Sequence, residues 1–280
     1  MTFTLLAEEG EACGKPKYNQ KVIAVFIKRL KGFVIIAATS LGGYAAAEEP
    51  SATPYRPTVS NPAALSAPGW VELEAGVNRT SGGDDRRLDT LPYLVKYAFS
   101  PDWGVLLGGN MLARRTTQDG VVTNGYGDTS FALKYHHEIS EKVALGLEAG
   151  FKSPTAKTGL GTGKTDYVLN GITSIDSGVA QIDLNLGVTR LGGYAENEGR
   201  HALSWAVSIS RSLVEKWNVA VELSGTDRHG TRGTSQFLTA LSYEWSKRTV
   251  FDFGAAAGLG KAAPDWSVFA GVTILWEKIK

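Results

Sequence analysis

The stretch TGLGTGKTDYVLNGIT, residues 158–173, decides between two fold classes. Its centre, Gly-Thr-Gly-Lys-Thr, matches the end of a phosphate-binding loop. That motif needs a Gly, four residues, then Gly-Lys-Ser/Thr, with a strand before it and a helix after it. Counted back from Gly163, the first motif position is Thr158 rather than Gly. Beyond Lys164 the chain reads TDYVLNGIT, which alternates as a strand. No helix amino terminus is therefore available to cradle a phosphate, and the nucleotide-binding reading fails.

The same period of two extends outward in both directions. WVELEAGVN (residues 70–78) sets Val71, Leu73, Ala75 and Val77 against Glu72, Glu74 and Asn78. LPYLVKYAF (91–99) sets Leu91, Tyr93, Val95, Tyr97 and Phe99 against Lys96. The pattern continues through WGVLLGGNMLAR, TSFALKYHHE and VALGLEAGFK to the segment 266–276, giving about twelve strands with no 3.6-residue periodicity between them. This predicts an all-β, up-and-down antiparallel fold.

The connections alternate in length. Short ones fall at 100–102, 140–142, 176–178, 212–216 and 246–249. Longer, Gly-rich and polar ones fall at 80–87, 115–127, 153–164, 191–201, 226–234 and 260–265. A transmembrane β-barrel has this layout, with short periplasmic turns and long extracellular loops, and strands of about 9–11 residues suit a tilted bilayer crossing. In hydrocarbon every backbone N–H and C=O must be paired, so strands cross only within a closed barrel. Aromatics fall in two sets on the apolar face. Phe99, Trp103, Tyr135, Trp217, Trp245, Phe251 and Trp276 lie toward the short turns, and Phe131, Phe151, Tyr167, Trp205 and Phe237 toward the long loops. Two such belts are what bilayer interfaces favour. A soluble sandwich or lipocalin-like barrel explains neither the belts nor the loop alternation.

Residues 1–47 read as a removable export signal. Lys21, Lys28, Arg29 and Lys31 precede the apolar run GFVIIAATSLGGYAAA, which ends in small residues. The segment holds the single Cys, Cys13, so the expected mature chain has no disulfide or thiolate metal site. It also takes six of the 29 basic and three of the 28 acidic residues, leaving 23 and 25. That balance gives no reason to expect nucleic acid as a partner. Residues 48–69, rich in Pro, Ser and Ala, have no usable period and read as an irregular lead segment, long enough to fold into the lumen as a plug. The barrel proper is expected over 70–280.

With the apolar face toward lipid, the polar face lines the lumen. The expected lumen-lining residues along a solute pathway are Glu72, Glu74, Lys96, Arg114, Lys134, Glu148, Asp183, Glu222, Glu244 and Asp252. His136, Glu138 and Lys152 share that parity, and Leu94, Leu106, Leu112 and Leu238 add apolar surface. Lys96, Arg114 and Lys134 come from three consecutive strands, and Glu222, Glu244 and Asp252 from three later ones. One expectation is therefore opposed basic and acidic walls with a transverse field. The other is that these groups pair among themselves and fill a narrow lumen. A hydrolase reading would join His201 to Ser204, but three residues along a strand put them on opposite faces. His136, His137 and Glu138 fail as a metal cluster for the same reason. No catalytic residue, cofactor or metal is expected.

RPTVSNPAALSAPGWVELEAGV (56–77), GYGDTSFALKY (125–135) and FKSPTAKTGLGTGKTDY (151–167) together resemble the bacterial outer-membrane family of the MetA pathway of phenol degradation. The resemblance covers most of 56–276. It implies an outer-membrane barrel of the transporter kind, associated by name with uptake of aromatic compounds, and it implies no particular ligand residues. The expected function is thus a channel or transporter for small solutes, aromatic or hydrophobic ones among them. The expected partners are outer-membrane lipid, a small-molecule solute and, during biogenesis, the barrel-assembly machinery. The rival readings are a non-transporting scaffold or adhesion barrel and, more distantly, a barrel lipid hydrolase.

Overall fold

A computed structural model of the chain describes residues 49–83 and 85–279. The expected export signal, residues 1–47, lies outside them. The strands, in chain order, are β1 (Trp70–Gly82), β2 (Asp85–Ala98), β3 (Trp103–Thr117), β4 (Val122–Gly125), β5 (Thr129–Ser140), β6 (Val143–Ser153), β7 (Asp166–Asp176), β8 (Gln181–Arg190), β9 (His201–Val214), β10 (Trp217–Arg228), β11 (Thr234–Ser246), β12 (Thr249–Gly258) and β13 (Trp266–Lys278). Each pairs antiparallel with its sequence neighbour, except that β3 pairs with both β4 and β5, and β4 is a four-residue flap on the end of β3. Pairing of β1 with β13 closes the sheet, leaving a barrel of twelve strands plus the flap. Closure removes the sheet edges that a membrane could not tolerate.

The two termini of the barrel meet at the short-turn end, where Trp70 faces Lys278. The alternation of loop lengths holds with one exception. The connection expected at 80–87 contracts to a tight turn, because β1 runs on to Gly82 and β2 begins at Asp85. The pairing of Arg79 with Asp89 and of Ser81 with Arg87 carries the ladder into what reads as loop. Arg79 Nε donates to Asp89 Oδ1 at 2.6 Å.

The outward face is apolar. Leu107, Leu133, Leu145, Leu147, Leu186, Ile209 and Leu223 are all exposed along the middle of their strands. Around this band lie the aromatics in two sets, with Trp103 against Tyr135 at 4.8 Å and Trp217 against Tyr243 at 4.9 Å at the short-turn end. Phe131 and Phe151 meet at 6.0 Å toward the long loops. Exposed leucine in such numbers is stable only against acyl chains. The barrel is transmembrane.

Candidate functional site

The inward face is densely charged, and most of its charged groups are buried. Glu72 and Lys96 are completely buried, and so is Lys134. Strands β1 and β2 pair Glu72 with Lys96 directly, and Glu74 sits two residues on along the same face. Lys96 Nζ therefore reaches Glu72 Oε1 at 2.6 Å and Glu74 Oε1 at 2.5 Å. In the same way β5 and β6 oppose Lys134 to Glu148, and the two meet at 3.1 Å. Low surrounding polarisability makes such pairs strong and an unpaired member costly.

These groups do not line an empty pore, because the lead segment runs among them. It enters beside the β11–β12 turn, where Ala52 N–H donates to the Lys247 carbonyl at 2.7 Å. Thr53 N–H then donates to Glu72 Oε2 at 3.0 Å, and Tyr55 N–H to Glu74 Oε1 at 2.7 Å. Val59 N–H and Ser60 N–H both donate to Glu222 Oε2 at 2.8 Å, and Ser60 Oγ donates to the same oxygen at 3.0 Å. Asn61 bonds Asn185 and Glu148, and Ala63 N–H donates to Ser174 Oγ at 2.7 Å. The lysines donate back, Lys96 to the Thr53 carbonyl and Lys134 to the Pro62 carbonyl, each at 2.6 Å. The segment leaves where Gly69 N–H meets the Ala98 carbonyl. It thus visits side chains on β1, β6, β7, β8 and β10 before β1 begins. A chain without its own ladder needs partners for its backbone groups, and the inward carboxylates supply them.

Two residues of the segment fix its position. Tyr55 is 3% exposed, and its ring has Lys96 Nζ 3.9 Å and Lys134 Nζ 4.0 Å from its centroid. The ring separates two ammonium groups that would otherwise repel, and its face attracts both. Burial pushes the Tyr55 phenol well above its ordinary value, and Glu148, Glu74 and Glu72 push it the same way. It stays neutral and donates to the Ala64 carbonyl at 2.9 Å. Arg56 reaches Asp252 on β12 through two bonds, Nε to Oδ2 at 3.1 Å and Nη2 to Oδ1 at 3.0 Å. Room for the guanidinium comes from a glycine pair in the wall, Gly76 facing Gly271 across β1 and β13. A Cβ on Gly271 would sit 2.4 Å from Arg56 Nε, and one on Gly76 would sit 2.8 Å from Arg56 Cζ.

The opposed basic and acidic walls do not exist. Lys96 and Lys134 are neutralised by carboxylates on the neighbouring strands, and Asp252 by the lead segment itself. Arg114 does not face the lumen. Met111 is an extra residue opposite the Leu91–Pro92 step, where the β2–β3 register shifts. Parity therefore changes beyond it, Ala113 is buried, and Leu112 and Arg114 are exposed on the opposite face. Proline at 92 has no N–H for the ladder, which is where bulges form. Asp183 is buried and held by the Ser174 hydroxyl, and Glu244 accepts from Asn218 Nδ2 at 2.9 Å near the short-turn rim.

The family model "Putative MetA-pathway of phenol degradation" matches residues 56–276. The chain belongs to this family. The MetA-pathway match opens at Arg56, so it takes in the Arg56–Asp252 contact and most of the luminal segment as well as the strands. A comparison with curated proteins gives no match. Among solved structures the chain is similar to the KdgM porin, at 12% identity and a TM-score of 0.53, covering 74% of this chain and 99% of that one. The KdgM porin in complex with disordered oligogalacturonate gives 12% identity and 0.51, again with 74% and 99% covered. The CymD monoaromatic hydrocarbon channel gives 10% and 0.46, covering 75% and 90%. At 12% identity the likeness to the KdgM porin is one of fold, that of an outer-membrane barrel.

In this member of the family the lumen is divided around the crossing at Val59–Asn61. On the short-turn side a chamber of about 450 Å³ is lined by Ser51, Arg56, Gln181, Asn218, Ser242 and Glu244 among others. On the long-loop side a chamber of about 350 Å³ is lined by Val59, Glu148, Asn170, Ser224, Gln236 and Pro264 among others. Tyr55, Arg56, Ser60 and Asn61 are the luminal contact residues that sequence reading missed. The available signal was charge parity: an excess of inward carboxylates implies donors supplied from elsewhere. Among the described residues, no cluster of His, Cys, Asp and Glu is placed to hold a metal.

Proposed function

We propose that this protein is an outer-membrane channel for small solutes whose resting lumen is closed by residues 49–69. The observation that carries the reading is the pair of chambers on either side of the Val59–Asn61 crossing. Solute from outside would enter the upper chamber, and displacement of the crossing would join it to the lower one. Polar lining with interspersed apolar surface such as Val59, Val168 and Ala263 suits small amphipathic or hydroxylated aromatic molecules, in keeping with the family's name.

The wall without the segment carries Lys96 and Lys134 against Glu72, Glu74, Glu148, Asp183, Glu222 and Asp252. An opened lumen is therefore acidic and favours cations and neutral solutes over anions. Outer-membrane lipid surrounds the barrel in this reading, and the assembly machinery inserts it.

The experiment is single-channel conductance of the purified protein in planar bilayers, beside a variant lacking residues 49–69. Small or intermittent current in the intact protein and a larger, steady one in the deletion variant are the expected results. A barrel that passes no current in either form would instead be the non-transporting scaffold.

A further inference from the structure

Three arginines gather on the outward face where β1, β2 and β3 approach the long-loop end. Asp89 is paired in register with Arg79 on one side and Arg114 on the other, and Arg87 lies two residues away on the same face of β2. Directly opposed side chains in such a ladder have Cβ atoms about 5 Å apart. Asp89 gives Oδ1 to Arg79 and Oδ2 to Arg87, each at 2.6 Å. Both its oxygens are then engaged, and Arg114 has no ion pair or hydrogen bond among the described residues. Among the described residues of this patch three positive charges stand against one negative, a surplus of two on barrel wall that faces lipid.

The height of the patch is set by Trp266, exposed on the outward face of β13 and paired with Ser81, two residues beyond Arg79. Interfacial tryptophan marks the headgroup level. Beside Arg79 and Arg114 a mainly apolar groove of about 580 Å³ is lined by Val77, Leu91, Leu112, Val268 and Ala270. The bulge at Met111 is what turns Leu112 and Arg114 together onto this face.

We propose that Arg79, Arg87 and Arg114 bind a phosphate of an outer-leaflet glycolipid of the lipid A class, with one of its acyl chains lying in the groove beside them. The argument is charge complementarity beside apolar surface. A phosphate accepts charge-assisted bonds from guanidinium groups, relieves their mutual repulsion, and belongs at this depth only when carried by a lipid.

The test is binding of bisphosphorylated lipid A to the folded protein in detergent, read by native mass spectrometry. Wild type is compared with Arg79→Ser/Arg114→Ser and with the control Arg190→Ser, an exposed arginine at the same end of the barrel. Folding is checked by heat-dependent gel migration. The expected result is a loss of roughly tenfold or more in the double variant and little change in the control. The same loss is expected in wild type when the lipid is dephosphorylated. Equal binding by wild type and double variant, or an equal loss in the control, overturns the site. Competition by millimolar inorganic phosphate would show an ion site rather than a lipid one and overturns the proposal as well. Should the double variant misfold, the dephosphorylated lipid on wild type decides alone.

Discussion

Arg56 and Asp252 stand 196 positions apart in the chain and are joined by two hydrogen bonds of 3.1 and 3.0 Å. One belongs to the irregular lead segment and the other to a membrane strand, so the contact locks the two together. Removing Arg56 leaves a buried carboxylate without its partner, which typically costs about 3–5 kcal/mol. Arg56→Ala is expected to raise the open fraction of single channels several-fold, and Arg56→Ala/Asp252→Asn to do so less than Arg56→Ala. Recording both variants beside wild type checks this order.

Tyr55 offers a sharper comparison. Tyr55→Phe keeps the ring between Lys96 and Lys134 and loses only the bond to Ala64. Tyr55→Ala removes the ring and sets two ammonium groups against each other across a void. Each cation–ring contact is worth about 0.5–2 kcal/mol. Conductance and protease resistance of residues 49–69 are expected near wild type for Phe and clearly altered for Ala.

Glu222 holds the crossing through a single oxygen that accepts from Val59 N–H, Ser60 N–H and Ser60 Oγ. Glu222→Ala strands these donors, at about 1–3 kcal/mol for each one left unpaired. Hydrogen exchange at the amides of 59 and 60 is expected to accelerate by orders of magnitude, while exchange in the β9 and β10 ladders stays slow.

Gly271→Val tests the recess. Its side chain would meet the Ala75 carbonyl as well as Arg56, so some loss of stability, about 1–3 kcal/mol, accompanies ejection of the guanidinium. The expected signature is open channels resembling those of Arg56→Ala in a protein that still migrates as a folded barrel.

Leu186, 60% exposed in the middle of β8, reports on the lipid face. Leu186→Arg is expected to destabilise the barrel by about 2–4 kcal/mol, the cost of arginine near the midplane. Urea unfolding in phospholipid vesicles measures it.

The wall was legible in the sequence because each strand repeats one simple constraint, apolar outward and polar inward, and the repetition makes the assignment nearly independent of any single residue. The reading failed at Arg114 because parity counts positions, and the bulge at Met111 inserts one. It failed for the turn after β1 because Arg79–Asp89 extends the ladder with polar residues that look like loop. The lead segment carries no period at all, so nothing in it announces that Tyr55 and Arg56 have partners on distant strands. Its composition was readable, but its contacts depend on closure of the barrel and lie outside any local pattern.

Both ends of the lead segment are tied near the short turns, at Ala52 and at Gly69. Its partners Glu222 and Asp252 lie on β10 and β12, so its contacts are complete only when those strands are in place. A barrel closed in the wrong register would offer those carboxylates at the wrong heights and leave the segment's donors without partners.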